Sequence, residues 1–98
     1  MPSTPLTTLG LVKQALRIVT EDFDDELTSL INAAKADLGL AGVIVPQTLT
    51  DIVNIAIITY VKMHFGNPDN YERLKASYDE QKAQLSMAFA DGYTQGVN

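Results

Sequence analysis

Apolar residues recur along this chain in four blocks, and each block has a helical rather than an alternating period. The densest is residues 51–65, DIVNIAIITYVKMHF. On a helical wheel Ile52, Val53, Ala56, Ile57, Tyr60, Val61 and Phe65 cover most of the circumference, and Ile58 and Met63 widen it further. Asp51, Thr59 and Lys62 remain as a polar strip, with Ile55 sitting among them. A helix that is apolar nearly all round is either a core helix or a membrane span. Asp51, Asn54, Lys62 and His64 interrupt the run well short of the roughly 20 residues that a span requires, which removes the membrane reading. The block is therefore expected to be a central helix over about 48–65. Its own chain and neighbouring copies would have to cover it.

The other blocks supply the cover. A first helix is expected from Thr7 or Thr8, whose hydroxyl can cap it, to about Arg17, with Leu9, Val12 and Leu16 on its buried side. Residues 18–24 lose the period, and Asp24 is expected to cap a second helix with Asp25 and Glu26 in its first turn. Leu27, Leu30, Ile31, Ala34 and Leu38 line that helix, and Gly39 is the expected left-handed terminator, followed by Gly42. Val43, Ile44 and Val45 suit a brief extended segment, but no second run of that type exists to make a sheet. Thr48 or Thr50 should open the central helix, and Gly66-Asn67-Pro68 should close it. The last helix is expected over about 69–89, since Asp69 and Glu72 have capping-box spacing. Tyr71, Leu74, Tyr78, Leu85 and Phe89 form its main stripe, while Ala76, Ala83 and Met87 make a small-residue seam on the opposite side. Two apolar faces imply two partners: the central helix, and a second chain that alanine allows to approach closely. Residues 90–98 are polar and broken by glycine, and read as a short tail. The pattern predicts an all-α fold, a small bundle of about four helices forming one domain over residues 1–98.

Composition narrows the function. With 46% hydrophobic and 19% charged residues in a chain of 98, one core is possible with little surplus. There is no cysteine, so neither disulfides nor thiolate metal sites are available. Residues 1–9, MPSTPLTTL, lack the basic and apolar regions of a secretion signal, so synthesis in the cytoplasm is expected. Twelve acidic residues against seven basic ones give a net charge of −5, and no stripe of Lys and Arg exists to grip a phosphate backbone. An acidic wall instead suits a protein past which DNA slides without sticking.

Catalytic and metal chemistry finds little to stand on. Glu21, Asp22, Asp24, Asp25 and Glu26 form an acidic cluster, but the alternating oxygen ligands and central glycine of a calcium loop are missing, and a solvated helix start explains them. His64 is the sole histidine, which excludes a paired-His zinc helix and leaves any triad resting on one residue. Its expected place is a helix C-terminus, where the negative end of the macrodipole favours it. No nucleophile elbow and no Gly-rich phosphate loop occurs. No catalytic, cofactor or metal site is expected, and the chain does not read as an enzyme. Tyr60, Tyr71 and Tyr78 have core spacing with hydroxyls at the edge, whereas Tyr93 stands alone among Gly and polar residues and is a candidate partner anchor.

One family shares this order of features. Val12-Lys13, Leu16-Arg17-Ile18, Asp24-Asp25, Leu27 with Leu30-Ile31, Ala33-Ala34, and Ala56 through Tyr60 before Phe65-Gly66 resemble the phage head-tail connector family, also called DNA-packaging proteins, over residues 9–87. Residues 67–88, NPDNYERLKASYDEQKAQLSMA, are similar to versions from phages or prophages of Gram-positive hosts. The resemblance implies a structural virion protein at the head-tail junction: a ring, usually dodecameric, that docks on the portal, seats the next neck or tail completion protein, and lets double-stranded DNA through without specific binding. A copy-to-copy interface is then expected at Ala76, Ala83 and Met87 with Ile55, and a portal-binding tail at Tyr93, Thr94 and Val97. Two rivals remain at this point. A small-terminase-like protein would bind DNA through a basic recognition helix, and a helical regulator or antitoxin would occlude a protein partner as a dimer.

Overall fold

The computed structural model describes residues 7–43 and 51–90, with side chains through Ala88. Four helices follow one another: α1 (Thr8–Leu16), α2 (Asp24–Leu40), α3 (Asp51–His64) and α4 (Tyr71–Ala90). No strand occurs among the described residues. The expected all-α bundle is the one that forms. Ile44, Val45, Thr48, Thr50 and the tail lie outside the described residues.

The centre of the fold is α3, which packs against each of the other three helices. Val53, Ala56, Ile57, Val61 and Met63 are buried there. They meet Val12 of α1, Leu27, Ile31, Ala34 and Leu38 of α2, and Tyr78 and Leu85 of α4 in one cluster. Fully burying a side chain of this size stabilises by roughly 1.5–3 kcal/mol, so this cluster is the main source of stability.

Two expectations about α3 are corrected. A single copy covers most of the helix, because three amphipathic stripes converge on it, and only Ile52 and Ile55 among its described apolar residues stay more than half exposed, at 57% and 53%. Neighbouring copies are not needed to hide it. Thr59 also leaves the predicted polar strip: it is buried, and its hydroxyl donates to the Ile55 carbonyl at 2.9 Å. A threonine can enter the core this way because the turn beneath it satisfies its polar atom.

The helix ends show how the chain is steered. The Thr7 hydroxyl accepts from the Gly10 N–H at 3.0 Å and caps α1. At the other end Arg17 takes a left-handed conformation with φ 62°. The Arg17 N–H then reaches the Gln14 carbonyl, and the Ile18 N–H the Lys13 carbonyl. Asp24 does not cap α2. Phe23 holds the cap position without a side-chain hydrogen bond, and Asp24 is the first helical residue. Its carboxylate is drawn instead to Lys13 Nζ of α1, 2.8 Å away.

The second helix continues through Gly39 to Leu40, and Gly42, with φ 92°, is the terminator instead of Gly39. The Gly42 N–H bonds the Gly39 carbonyl and the Val43 N–H bonds the Leu38 carbonyl, which folds Val43 back into the core. Stopping one turn earlier would forfeit that apolar closure. Gly66, φ 73°, follows α3 as expected. The last helix starts at Tyr71, where the Asn70 carbonyl accepts from Leu74, so Asn70 and not Asp69 occupies the cap.

The left-handed Arg17 yields a prediction. An L-residue loses about 1–2 kcal/mol in this conformation, partly offset by the larger chain entropy that glycine must surrender. Arg17→Gly is expected to raise stability by up to about 1 kcal/mol, read as a higher urea midpoint with unchanged slope.

Candidate functional site

Ring contacts and hydrogen bonds fix the helix directions. Tyr60 meets Tyr78 at 5.3 Å between centroids and His64 meets Tyr71 at 6.4 Å, so α3 and α4 run antiparallel. Asp37 bonds Tyr78 while the Ala41 carbonyl accepts from the Ser86 hydroxyl at 2.7 Å, so α2 runs parallel to α4. The bundle therefore has two ends. At one, the α1–α2 loop and the α3–α4 turn meet through an edge-on contact of Phe23 with Phe65, 5.4 Å between centroids. At the other lie the C-termini of α2 and α4 and the starts of α1 and α3, where the Thr8 hydroxyl approaches the Asn54 side-chain oxygen at 3.4 Å.

Ala76, Ala83 and Met87 are exposed on α4, on the side opposite Tyr78 and Leu85. Among the described residues none covers the seam, and Met87 is 66% exposed. Ile55 is exposed too, but on α3, which the other stripe of α4 packs against. The structure does not gather the four residues into one contact. Tyr93, Thr94 and Val97 fall outside the described residues, as does the side chain of Phe89.

A polar clasp between α2 and α4 escaped the sequence reading. The Tyr78 hydroxyl donates to Asp37 Oδ2 at 2.6 Å, and Lys82 Nζ donates to the same oxygen at 3.1 Å while standing 5.3 Å from the centre of the Tyr78 ring. Tyr78 and Lys82 are one turn apart on α4, a spacing that marks a shared face. Nothing along the chain pairs that face with Asp37, 41 residues before Tyr78. The hydrogen bond from Tyr78, with help from Lys82, holds the Asp37 carboxyl below its ordinary value. Burial, then the bond to Asp37, pushes the Tyr78 phenol well up. A neutral phenol locked on a carboxylate is a fastener, not a nucleophile. His64 stands at the end of α3 as expected, its ring 4.4 Å from that of Tyr60.

No group of three or more His, Cys, Asp or Glu able to hold a metal occurs among the described residues. No described helix is long and apolar enough to cross a membrane. What the molecule offers is surface: a small-residue seam and exposed aliphatics on a stiff helical frame.

The clasp sets a pH dependence. Asp37 titrates below 3.8 in the fold, so its contribution is complete above the unfolded value and disappears as pH falls through the folded one. Tyr78 titrates above 10.0, so its contribution is complete below that value and fades as pH rises toward the folded one. Tyr78→Phe is expected to cost about 1–2 kcal/mol on the plateau between, since Lys82 still partners Asp37. Urea unfolding of wild type and variant across pH checks this: the gap between the two curves should narrow as pH falls below 3.8 and as it rises above 10.0.

Comparison with known families gives one match. A family model described as phage connector protein matches residues 8–92 and so takes in all four helices. No curated protein and no solved structure shows a significant match to the chain. With the family match running through α1, α2, α3 and α4 alike, this chain belongs to the phage connector protein family, and its role is a structural one of the connector type.

Proposed function

We propose that the protein is a head-tail adaptor whose copies form a dodecameric ring below the portal, joining capsid to tail and letting DNA pass. The family match over residues 8–92 carries this reading. The exposed seam of Ala76 and Ala83 supports it by offering a side of α4 that a neighbouring copy can approach closely. Met87 would border the same contact, and Ile55, on α3, would meet the seam of the neighbouring copy. Tyr93, Thr94 and Val97 would anchor the tail on the portal, with the next neck component seated on the ring. The particle neck would be its place of work and the host cytoplasm its place of synthesis.

Charge favours this reading over a DNA-binding packaging protein. Three basic residues lie on α4, and two of them are engaged: Lys75 with Asp79 at 2.8 Å and Lys82 with Asp37 at 3.1 Å. A recognition helix needs its cations free for phosphate. A net charge of −5 suits a lumen wall that releases the duplex.

Deleting residues 91–98 is expected to leave helicity and the unfolding midpoint unchanged while abolishing co-purification with the cognate portal protein; full binding by the shortened chain refutes the tail assignment. Negative-stain images of wild type mixed with portal should show an added ring. In a mobility-shift assay near 0.15 M salt the protein should leave duplex DNA unshifted, and a retarded band would favour the small-terminase reading.

A further inference from the structure

We infer that copies of this chain join head to tail, the outward face of α3 on one copy taking the outward face of α4 on the next, with Lys62 of the first paired to Glu80 of the second. This rests on the adaptor reading and adds to it the facing register and the charge pair that fixes it.

The two faces complement each other in shape and in charge. On α3, Ile55 and Lys62 are seven residues apart and share one side, with Ile58 at its margin. Ile55 is 53% exposed, and Ile58 and Lys62 are only partly buried. On α4, Ala76, Glu80, Ala83 and Met87 follow one another in steps of four, three and four, and all are exposed. One face carries branched aliphatics and the other alanine, so the large side chains of the first find room over the small ones of the second. The ion pairs among the described residues join Lys13 to Asp24, Lys75 to Asp79 and Lys82 to Asp37. Lys62 and Glu80 enter none of them. Each copy thus shows an uncommitted cation on the α3 face and an uncommitted anion midway along the α4 face, and a second copy satisfies both.

Heights along the bundle agree as well. Tyr60 faces Tyr78 across antiparallel helices, so Ile55 stands level with Ala83, and Lys62 with Ala76, one turn from Glu80. The contact of His64 with Tyr71 gives the same levels to within a turn. Rotation about a ring axis that runs along the helices leaves height unchanged. The next copy therefore presents Ala83 to Ile55 and brings Glu80 within reach of the long Lys62 side chain. A two-fold pairing of one α4 face with another is disfavoured, because its centre between Ala76 and Ala83 brings the two copies' Glu80 carboxylates together. Joining two unlike faces avoids that repulsion, leaves each copy one free face of each kind, and closes into a ring when the rotation permits.

The chain has no cysteine, so introduced ones report contact without interference from its own thiols. Ile55→Cys and Ala83→Cys sit on exposed positions, and helicity and urea midpoint should stay as in wild type. When the two full-length variants are mixed on purified cognate portal protein and oxidised, a disulfide-linked dimer of the chain is expected, and the doubly substituted chain should give a ladder of multimers. Neither variant by itself should give the dimer. Adding Lys62→Glu to the Ile55→Cys chain, or Glu80→Lys to the Ala83→Cys chain, should lower the dimer yield severalfold, and combining the two reversals should restore it. A dimer from one variant by itself, a yield indifferent to the charge reversals, or no dimer where negative-stain images show a ring on the portal overturns this inference and leaves the adaptor reading standing. A wild-type chain that forms no ring with the portal sinks both.

Discussion

Everything in this fold is arranged around covering α3. A helix apolar over most of its circumference must be enclosed from several directions, and three partners do it: α1, α2 and α4 each contribute a stripe to one cluster. The demand explains the turns as well. Arg17 and Gly42 both adopt left-handed conformations because the chain must reverse tightly after α1 and α2, bringing Ile18 and Val43 back toward the core. With 98 residues to spend, no second core could form.

The fourth helix is held differently. Its buried described side chains are few, Tyr78 and Leu85, with Leu74 packed beside them, and polar bonds to α2 add to their hold. Tyr78 and Lys82 grip Asp37, and Ser86 grips the Ala41 carbonyl. Both contacts tie α4 to α2, and Tyr78 also meets Tyr60 of α3 ring to ring. A helix fastened along one narrow line keeps the rest of its circumference free. That leaves surface for the contacts with other phage proteins that membership of the connector family implies.

Connector function needs surfaces more than chemistry, and the surface here is partitioned. Acidic residues crowd the end built from the α1–α2 loop and the α3–α4 turn, where Val19 also stands open, while Leu40 and Ile52 are exposed near the end of α2 and the start of α3. Such polarity gives a small protomer a top and a bottom. Like charge at the acidic end discourages stacking of copies there.

Periodicity alone determined the class and the order of helices, since runs such as Leu27, Ile31, Ala34 and Leu38 admit one face only, and the Gly66-Asn67-Pro68 stop is a local rule. The exposure of the Ala76, Ala83 and Met87 side of α4 was legible for the same reason, while the tail residues rest on resemblance. What local pattern could not supply was any relation between residues far apart in the chain. Asp24 has the chemistry of a cap, yet Lys13 of the preceding helix claims it. Thr59 belongs to the polar strip on a wheel, yet the convergence of three helices buries it. Asp37, an unremarked acid on α2, becomes the fastening point of α4 because packing sets it opposite Tyr78. Whether α3 needed neighbouring copies was likewise settled by how completely its own three companions close around it. Periodicity is written one turn at a time, but enclosure depends on distances that exist only once the helices have come together.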